Sequence, residues 1–356
     1  MGVINFFLHS LWSQIDVFFQ QKLVTSSGTN YAYKAIIDAY LNYGRDAQES
    51  QLQAALYFKD TAGPHMECTN PVVGRDFKEG DPLNVGLQNR FKYTKLSKEF
   101  DMIGVPLCDI FSLDRYLLNG VAVKIVMSQT KNSFRLMRTG TENYKVLLTD
   151  MVLKVCKVLP SPGIITAHSQ MLATKTAIYP FMRADIKTFA IAQGSYSVHL
   201  DDVYQGQVPS RLVCGFVKSE AFSGSYTLNP FNFQNVEIES IICKADNQSV
   251  PSEGIKTDFT VGNYAEAYES LFIGAGIEHS DNGIFCTREE YPMGYTLFAF
   301  NLDAQVTTPS TLPALRKGNL SLEIRMKSNL TWPATLICYA NFPAQLEIDH
   351  ARAITL

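Results

Sequence analysis

The sequence has no closely spaced cysteine pair, no paired histidines and no strong charge of either sign, and each absence removes a class of function. The seven cysteines, at 68, 108, 156, 214, 243, 286 and 338, form no C-x-x-C and have no histidine at zinc spacing. Cys156, Cys214, Cys243 and Cys338 sit inside apolar runs of β type, where a reduced thiol serves as a small hydrophobe, so a reducing compartment is expected. The six histidines are isolated, with no second histidine one, three or four residues away, which argues against a metal-binding cupin site. A net charge of −3 supplies no field for direct nucleic-acid binding or for an anionic membrane surface.

Motifs of catalysis are missing too. No phosphate-binding G-x-x-x-x-G-K-[ST], no G-x-G-x-x-G, no H-E-x-x-H and no G-x-S-x-G occurs. "GAGIEHSDNG" lacks the third glycine of a dinucleotide fingerprint and reads as a turn. The apolar start "MGVINFFLHSLWSQIDVFF" is broken by Asn5, His9, Ser13, Gln14 and Asp16, so it reads as neither a signal peptide nor a membrane span. Phe6 stands where a myristoylation signal needs Ser or Thr. The triplets at Asn247, Asn319 and Asn329 are chance matches in a chain expected not to be secreted.

What the chain does have is apolar and aromatic mass. Its 356 residues are 46% hydrophobic, 12% aromatic and 18% charged, enough for one large core or two ordinary ones. Val, Ile, Thr and Phe recur in short bursts separated by turn residues, which favours strands. The runs are "VAVKIVMS", "YKVLLTDMVLKVCKVL", "TFAIAQGSYSVHL", "RLVCGFV", "VEIESIIC", "YTLFAFNL", "LSLEIRMK" and "ATLICYANF". Leu320, Leu322, Ile324 and Met326 alternate with Ser321, Glu323, Arg325 and Lys327, the pattern of a half-buried antiparallel strand.

Helices are few. "LHSLWSQI" suggests a short helix leading into a strand, and "YAYKAIIDAYLNYG" puts Tyr33, Ile36, Ile37, Tyr40 and Leu41 on one helical face, with Gly44 suited to a left-handed C-terminal position. "RDAQESQLQAAL" predicts another helix, capped by Asp46 with Glu49 three residues on. Residues 63–86 carry Gly, Pro, Asn and Asp without apolar period and read as a long surface loop. Short strands, long connections and no fixed repeat predict a β-sandwich, and a jelly roll accommodates such loops best. Pro160 and Pro162 punctuate the middle, and a domain boundary is expected around residues 170–180.

Several residues invite a chemical role and have a plainer explanation. Arg90, Lys92, Lys95 and Lys98, interleaved with aromatics, could hold a single strand of nucleic acid, yet Glu99 and Asp101 follow, as on a solvated surface segment. His199 with Asp201 and Asp202 could begin a metal site, but a strand running into an acidic turn accounts for them. Glu289 and Glu290 are adjacent, so on a strand they would face opposite ways. No catalytic, cofactor or metal residue is therefore assigned. The loop Glu220–Asn235 stands out instead, with Phe222, Tyr226, Phe231 and Phe233 and a single charge. Such a composition suits either a contact between sandwiches or subunits, or a lid over the sandwich's own end.

The blocks "INFFLHSLWSQIDVFFQQKLV", "YAYKAIIDAYLNYG", "YFKDTAG", "YPFMRADIKTFAIAQGSYSV", "VPSRLVCGFVKSEAFSGSYTLNPFNFQNVEIESI", "VPSEG", "GIEHSDNGIF" and "MGYTLFAFNLD" resemble, in order, those of the major capsid protein (hexon) of Polinton/Maverick elements and adintoviruses. The resemblance implies an all-β double jelly roll, two antiparallel β-sandwiches in one chain, at residues 1–178 and 179–356. It implies a structural role in a virion, with no enzyme activity and no cofactor. Three chains would form a pseudo-hexameric capsomer of an icosahedral shell that meets a penton or vertex protein, without nucleic-acid or membrane contact. Copies integrated in animal genomes belong to the same family, and before assembly the protein would be intracellular. Family members carry a segment ahead of the "NFFLHS" block that supplies opening strands, so the first jelly roll is expected to lack them here. Outside this resemblance, two other classes fit the residues: a domesticated β-sandwich that binds a host protein or glycan, and a jelly-roll enzyme.

Overall fold

The computed structural model describes residues 1–25, 28–71, 83–141, 143–303 and 315–356. The chain opens with β1 (Gly2–Val3), α1 (Phe7–Ser10), β2 (Trp12–Phe19), β3 (Lys22–Leu23), α2 (Tyr31–Asn42) and α3 (Arg45–Gln48). α4 (Val85–Thr94), β4 (Val123–Gln129), α5 (Asn132–Arg135), β5 (Leu136–Met137) and α6 (Pro162–Leu172) follow. Next come β6 (Ala177–Ile191), β7 (Ser197–Tyr204), β8 (Arg211–Lys218), α7 (Ser219–Ser223), β9 (Phe233–Gln234), β10 (Ile238–Ala245) and β11 (Gln248–Lys256). α8 (Ala265–Ala275), β12 (Met293–Gly294), β13 (Leu297–Asn301), β14 (Leu320–Met326), β15 (Ala334–Ile348) and β16 (Ile354–Thr355) end the chain.

From β6 onward the long strands form two antiparallel sheets. In one, β15 lies between β6 and β8, and β8 pairs in turn with β13. The other runs β11-β10-β14-β7. Successive strands pass from sheet to sheet, β6 to β7 to β8 to β10, and return through β13, β14 and β15, which is the jelly-roll arrangement. Burial follows from the sequence pattern. Leu320, Leu322, Ile324 and Met326 all point into the core, whereas β15 is buried without interruption from Ala334 to Pro343, as an apolar strand in the middle of a sheet must be.

The earlier part of the chain repeats this order in reduced form. β2 forms a hairpin with β3, α2 follows, and β4 pairs back onto β2, just as the β10-β11 hairpin is followed by α8 and by β14 pairing back onto β10. The described residues contain no sheet with strands from both sides of residue 177. One apolar cluster nevertheless runs from Val3 to Ile348, so the two parts share a continuous core.

Several sequence expectations need correction. "YKVLLTDMVLKVCKVL" forms no strand: Tyr144–Leu159 is unpaired and, apart from Val146, which packs against the apolar cluster, exposed, and Cys156 with it, because no neighbouring strand takes up its backbone groups. Gly44 does not adopt the left-handed conformation; it is extended and precedes α3, so Asp46 falls in the first turn of that helix rather than at its cap. α2 buries every residue from Tyr31 to Leu41 and not one face only, because it passes through the middle of the molecule. "LHSLWSQI" splits after Ser10, and Trp12 and Ile15 belong to β2. Residues 63–86 contain a tight turn at Gly63–Glu67 and the start of α4, while residues 72–82 of that stretch lie outside the described residues. α4, α6 and α8 lie outside the helices that the sequence predicts.

Candidate assembly surface

The aromatic loop between β8 and β10 packs against the earlier part of the same chain. Phe231 is fully buried and meets Tyr33 and Phe134 edge-on, with ring centroids 5.7 and 6.0 Å apart. Phe222 stacks on Tyr33 at 5.4 Å, and Phe233, also fully buried, meets Tyr40 edge-on at 6.3 Å. The Arg138 guanidinium lies 4.1 Å from the centre of the Tyr226 ring. Tyr33, Tyr40, Phe134 and Arg138 all precede residue 177, so the loop forms a joint between the two parts. Phe222 and Tyr226 are partly exposed, and only their outer faces are open to a second molecule.

Beneath the loop the joint contains a buried polar network. Arg90 and Asp60 form an ion pair with both side chains completely buried, Nη2 to Oδ1 at 2.7 Å. The guanidinium also donates to the carbonyls of Val3 and Phe58, which compensates much of its desolvation. Asp60 Oδ2 accepts from Asn229 Nδ2 at 3.1 Å, and its backbone carbonyl accepts from the Tyr295 hydroxyl. Glu67 accepts from the Asn229 amide at 2.6 Å and from Asn232 Nδ2, while burial raises its carboxyl above the ordinary range. Arg90 thus holds the core together, where the sequence suggested a solvated segment; Lys92, Lys95 and Lys98 are exposed. The four basic residues differ because Arg90 lies on the buried face of α4 with Gly86 and Leu87, Lys92 lies on its exposed face, and Lys95 and Lys98 lie beyond the helix.

A second buried network centres on Lys34. Its ammonium contacts Asp38 at 2.8 Å and Asp109 at 2.9 Å, and donates to the Leu107 carbonyl. Burial opposes the Lys34 charge, but Asp38 and Asp109 outweigh it and hold the ammonium well above its ordinary range. Asp38 in turn accepts from the Tyr339 hydroxyl, to which Asn341 Nδ2 donates at 3.1 Å. Nearby, His9 is buried with Nδ1 2.8 Å from the Tyr31 hydroxyl; burial, with Lys34 adding to it, lowers its pKa to about 3. The only sequence hint of this network was a lysine and an aspartate four residues apart in an apolar helix.

The remaining candidates are dispersed. His199 is exposed on β7 opposite Glu323 of β14, and Asp201 and Asp202 lie exposed on β7 itself, not in a turn beyond it. Glu290 pairs with Lys59 at 2.6 Å, and Glu289 is exposed. Among the described residues no group of three or more His, Cys, Asp and Glu is placed to hold a metal ion, and no helix is long and apolar enough to cross a membrane. An open groove of about 410 Å³ crosses the outer face of β7, β14 and β10, lined by Tyr196, Ser197, His199, Ser240, Glu323 and Arg325 among others. The largest apolar exposure lies elsewhere, along Tyr144–Met171, which holds nearly half of the exposed large hydrophobics among the described residues.

This architecture defines a class: an all-β protein with short helices and a double jelly-roll fold. A chain in the cryo-EM structure of the Sputnik virophage matches 99% of this chain over 75% of its own length, with a TM-score of 0.55 and 13% identity. The mavirus major capsid protein is similar over 99% of this chain and 78% of its own, with a TM-score of 0.42 and 11% identity. In sequence, an uncharacterized protein of Caenorhabditis elegans is 26% identical over 360 residues, covering 98% of this chain and 80% of its own length. No family model matches the chain.

Proposed function

We propose that this protein is the major capsid protein of a double-stranded DNA virus of the Polinton/Maverick and adintovirus kind, or of its integrated copy. Three chains form a pseudo-hexameric capsomer, and capsomers tile an icosahedral shell. The carrying observation is the double jelly-roll fold shared with a chain of the Sputnik virophage along 99% of this chain. The ordered sequence blocks supply the narrower family. A shell protein needs surfaces rather than a reaction centre, which agrees with candidate residues that lie apart and with polar groups spent on the joint between the two parts. The virion is then its place of work, other copies and a vertex protein are its partners, and it performs no catalysis.

The polar groove across β7, β14 and β10 supports a second reading, a sandwich that binds a host protein or glycan. Light scattering after size exclusion separates the two. A mass three times 39.8 kDa supports the capsomer. A folded monomer at all concentrations, stabilised by a glycan or protein ligand, overturns it in favour of the binding module.

A further inference from the structure

Tyr144–Leu159 has the composition of a buried strand, yet apart from Val146, which touches the apolar cluster, its side chains are exposed. Leu147 and Val152 are each 70% exposed and Leu159 is 95% exposed. Apolar side chains occupy both faces: Val146, Leu148, Val152 and Val158 on one, Leu147, Met151, Leu153 and Val155 on the other. A strand apolar on both faces belongs in the middle of a sheet or sandwich. In the earlier part β4 is followed by α5 and by β5, which pairs with β1 as β15 pairs with β6; Tyr144–Leu159 comes after these, and among the described residues no strand pairs with it. Exposed backbone with these side chains is a template for strand addition.

Its charges point to an occupant. The polar positions include Lys145, Asp150, Lys154 and Lys157. When two identical antiparallel strands are related by a twofold axis, each residue lies opposite one an even number of positions away, because side chains alternate between faces. Lys145 and Lys157 are odd steps from Asp150 and cannot meet it; Lys154 can. In the register centred on Val152, Asp150 of each strand faces Lys154 of the other, twice by symmetry. Val146 then faces Val158, Met151 faces Leu153, and no like charges are opposed. Opposite charges on facing cross-strand positions favour a pairing, and like charges oppose it.

We infer that Tyr144–Leu159 pairs with the same segment of a second copy, antiparallel and centred on Val152, as a twofold contact between protein molecules. This contact is separate from the threefold one of the capsomer and does not depend on it.

Light scattering on the full chain, its Asp150→Lys and Lys154→Asp variants and the double swap tests the register. Each single variant opposes like charges at two places and should weaken the twofold association by about tenfold, which lowers the average solution mass by about a quarter at a protein concentration near the wild-type dissociation constant. The double swap should restore it. Val152→Cys in a Cys156→Ser background should form an interchain disulfide on mild oxidation, because the axial residue faces its own copy. Val155→Cys, which faces Thr149, should not. The altered side chains are exposed, so unchanged circular dichroism is expected throughout. A wild-type mass with no twofold multiple, single variants without effect, or a double swap no better than the singles overturns the pairing. A threefold mass indifferent to every swap would do so while leaving the capsid reading standing.

Discussion

The Tyr339 hydroxyl donates to Asp38 Oδ1 at 2.6 Å, joining the middle of β15 to the middle of α2 across 301 positions of sequence. Both groups are buried, and burial raises the Tyr339 phenol above its ordinary range, so it remains a donor at every physiological pH. Tyr339→Phe removes the donor and leaves Asp38 with Lys34. Urea denaturation should show a loss of about 1.5 to 3 kcal/mol, the usual scale for a hydrogen bond to a charged group. An unchanged midpoint would show that the two parts are not coupled here.

Asp60 carries a heavier share of the joint, because Arg90 and Asn229 both depend on it. Asp60→Ala strands a guanidinium with no exposed surface and should cost about 3 to 5 kcal/mol. Replacing Asp60 and Arg90 together with apolar residues should cost less than Asp60→Ala alone. Thermal denaturation of the single and double variants measures the difference.

Phe231 and Phe222 differ in burial and should differ in effect. Phe231→Ala opens a hole among Tyr33, Phe134 and the loop, and should destabilise by about 3 to 5 kcal/mol. Phe222→Ala should cost less, since its ring is partly exposed and stacks on Tyr33 from the side. If the loop also serves self-association, Tyr226→Ala should lower the solution mass of the wild-type assembly with little change in melting temperature.

His9 makes stability depend on acid. Its folded pKa of about 3 lies below the unfolded value of 6.5, so the folded state binds fewer protons between these limits. The contribution is complete above pH 6.5 and is lost as the pH falls towards 3, by about 1.4 kcal/mol per pH unit. Glu67 and Asp109, both raised by burial, act in the opposite direction, so the His9→Gln variant is the proper reference. Its stability should fall less steeply with acid than that of the wild type.

Thiol accessibility provides a direct test of the core. Cys156 should react first with an aromatic disulfide reagent and Cys68 next, whereas Cys214, Cys243 and Cys338 should react only on unfolding. Rapid labelling of Cys214 or Cys338 in native protein would show that β8 and β15 separate in solution.

Strand composition was local information, and the sequence determined it. Alternation along Leu320–Met326 and the unbroken apolar run of β15 follow from period and face alone, and α2 was visible from its spacing. The jelly-roll class followed from many short strands joined by long loops. Tertiary structure alone decided which apolar run found partners. "YKVLLTDMVLKVCKVL" and "ATLICYANF" read alike, yet the second lies between β6 and β8 and the first has neither neighbour, because pairing depends on another segment and not on the strand itself. Tertiary structure also separated Arg90 from the lysines beside it and brought Asp60, Asn229 and Tyr295 to one point from positions far apart in the chain. A buried charge is stable only where distant groups converge on it, and no local pattern records that convergence.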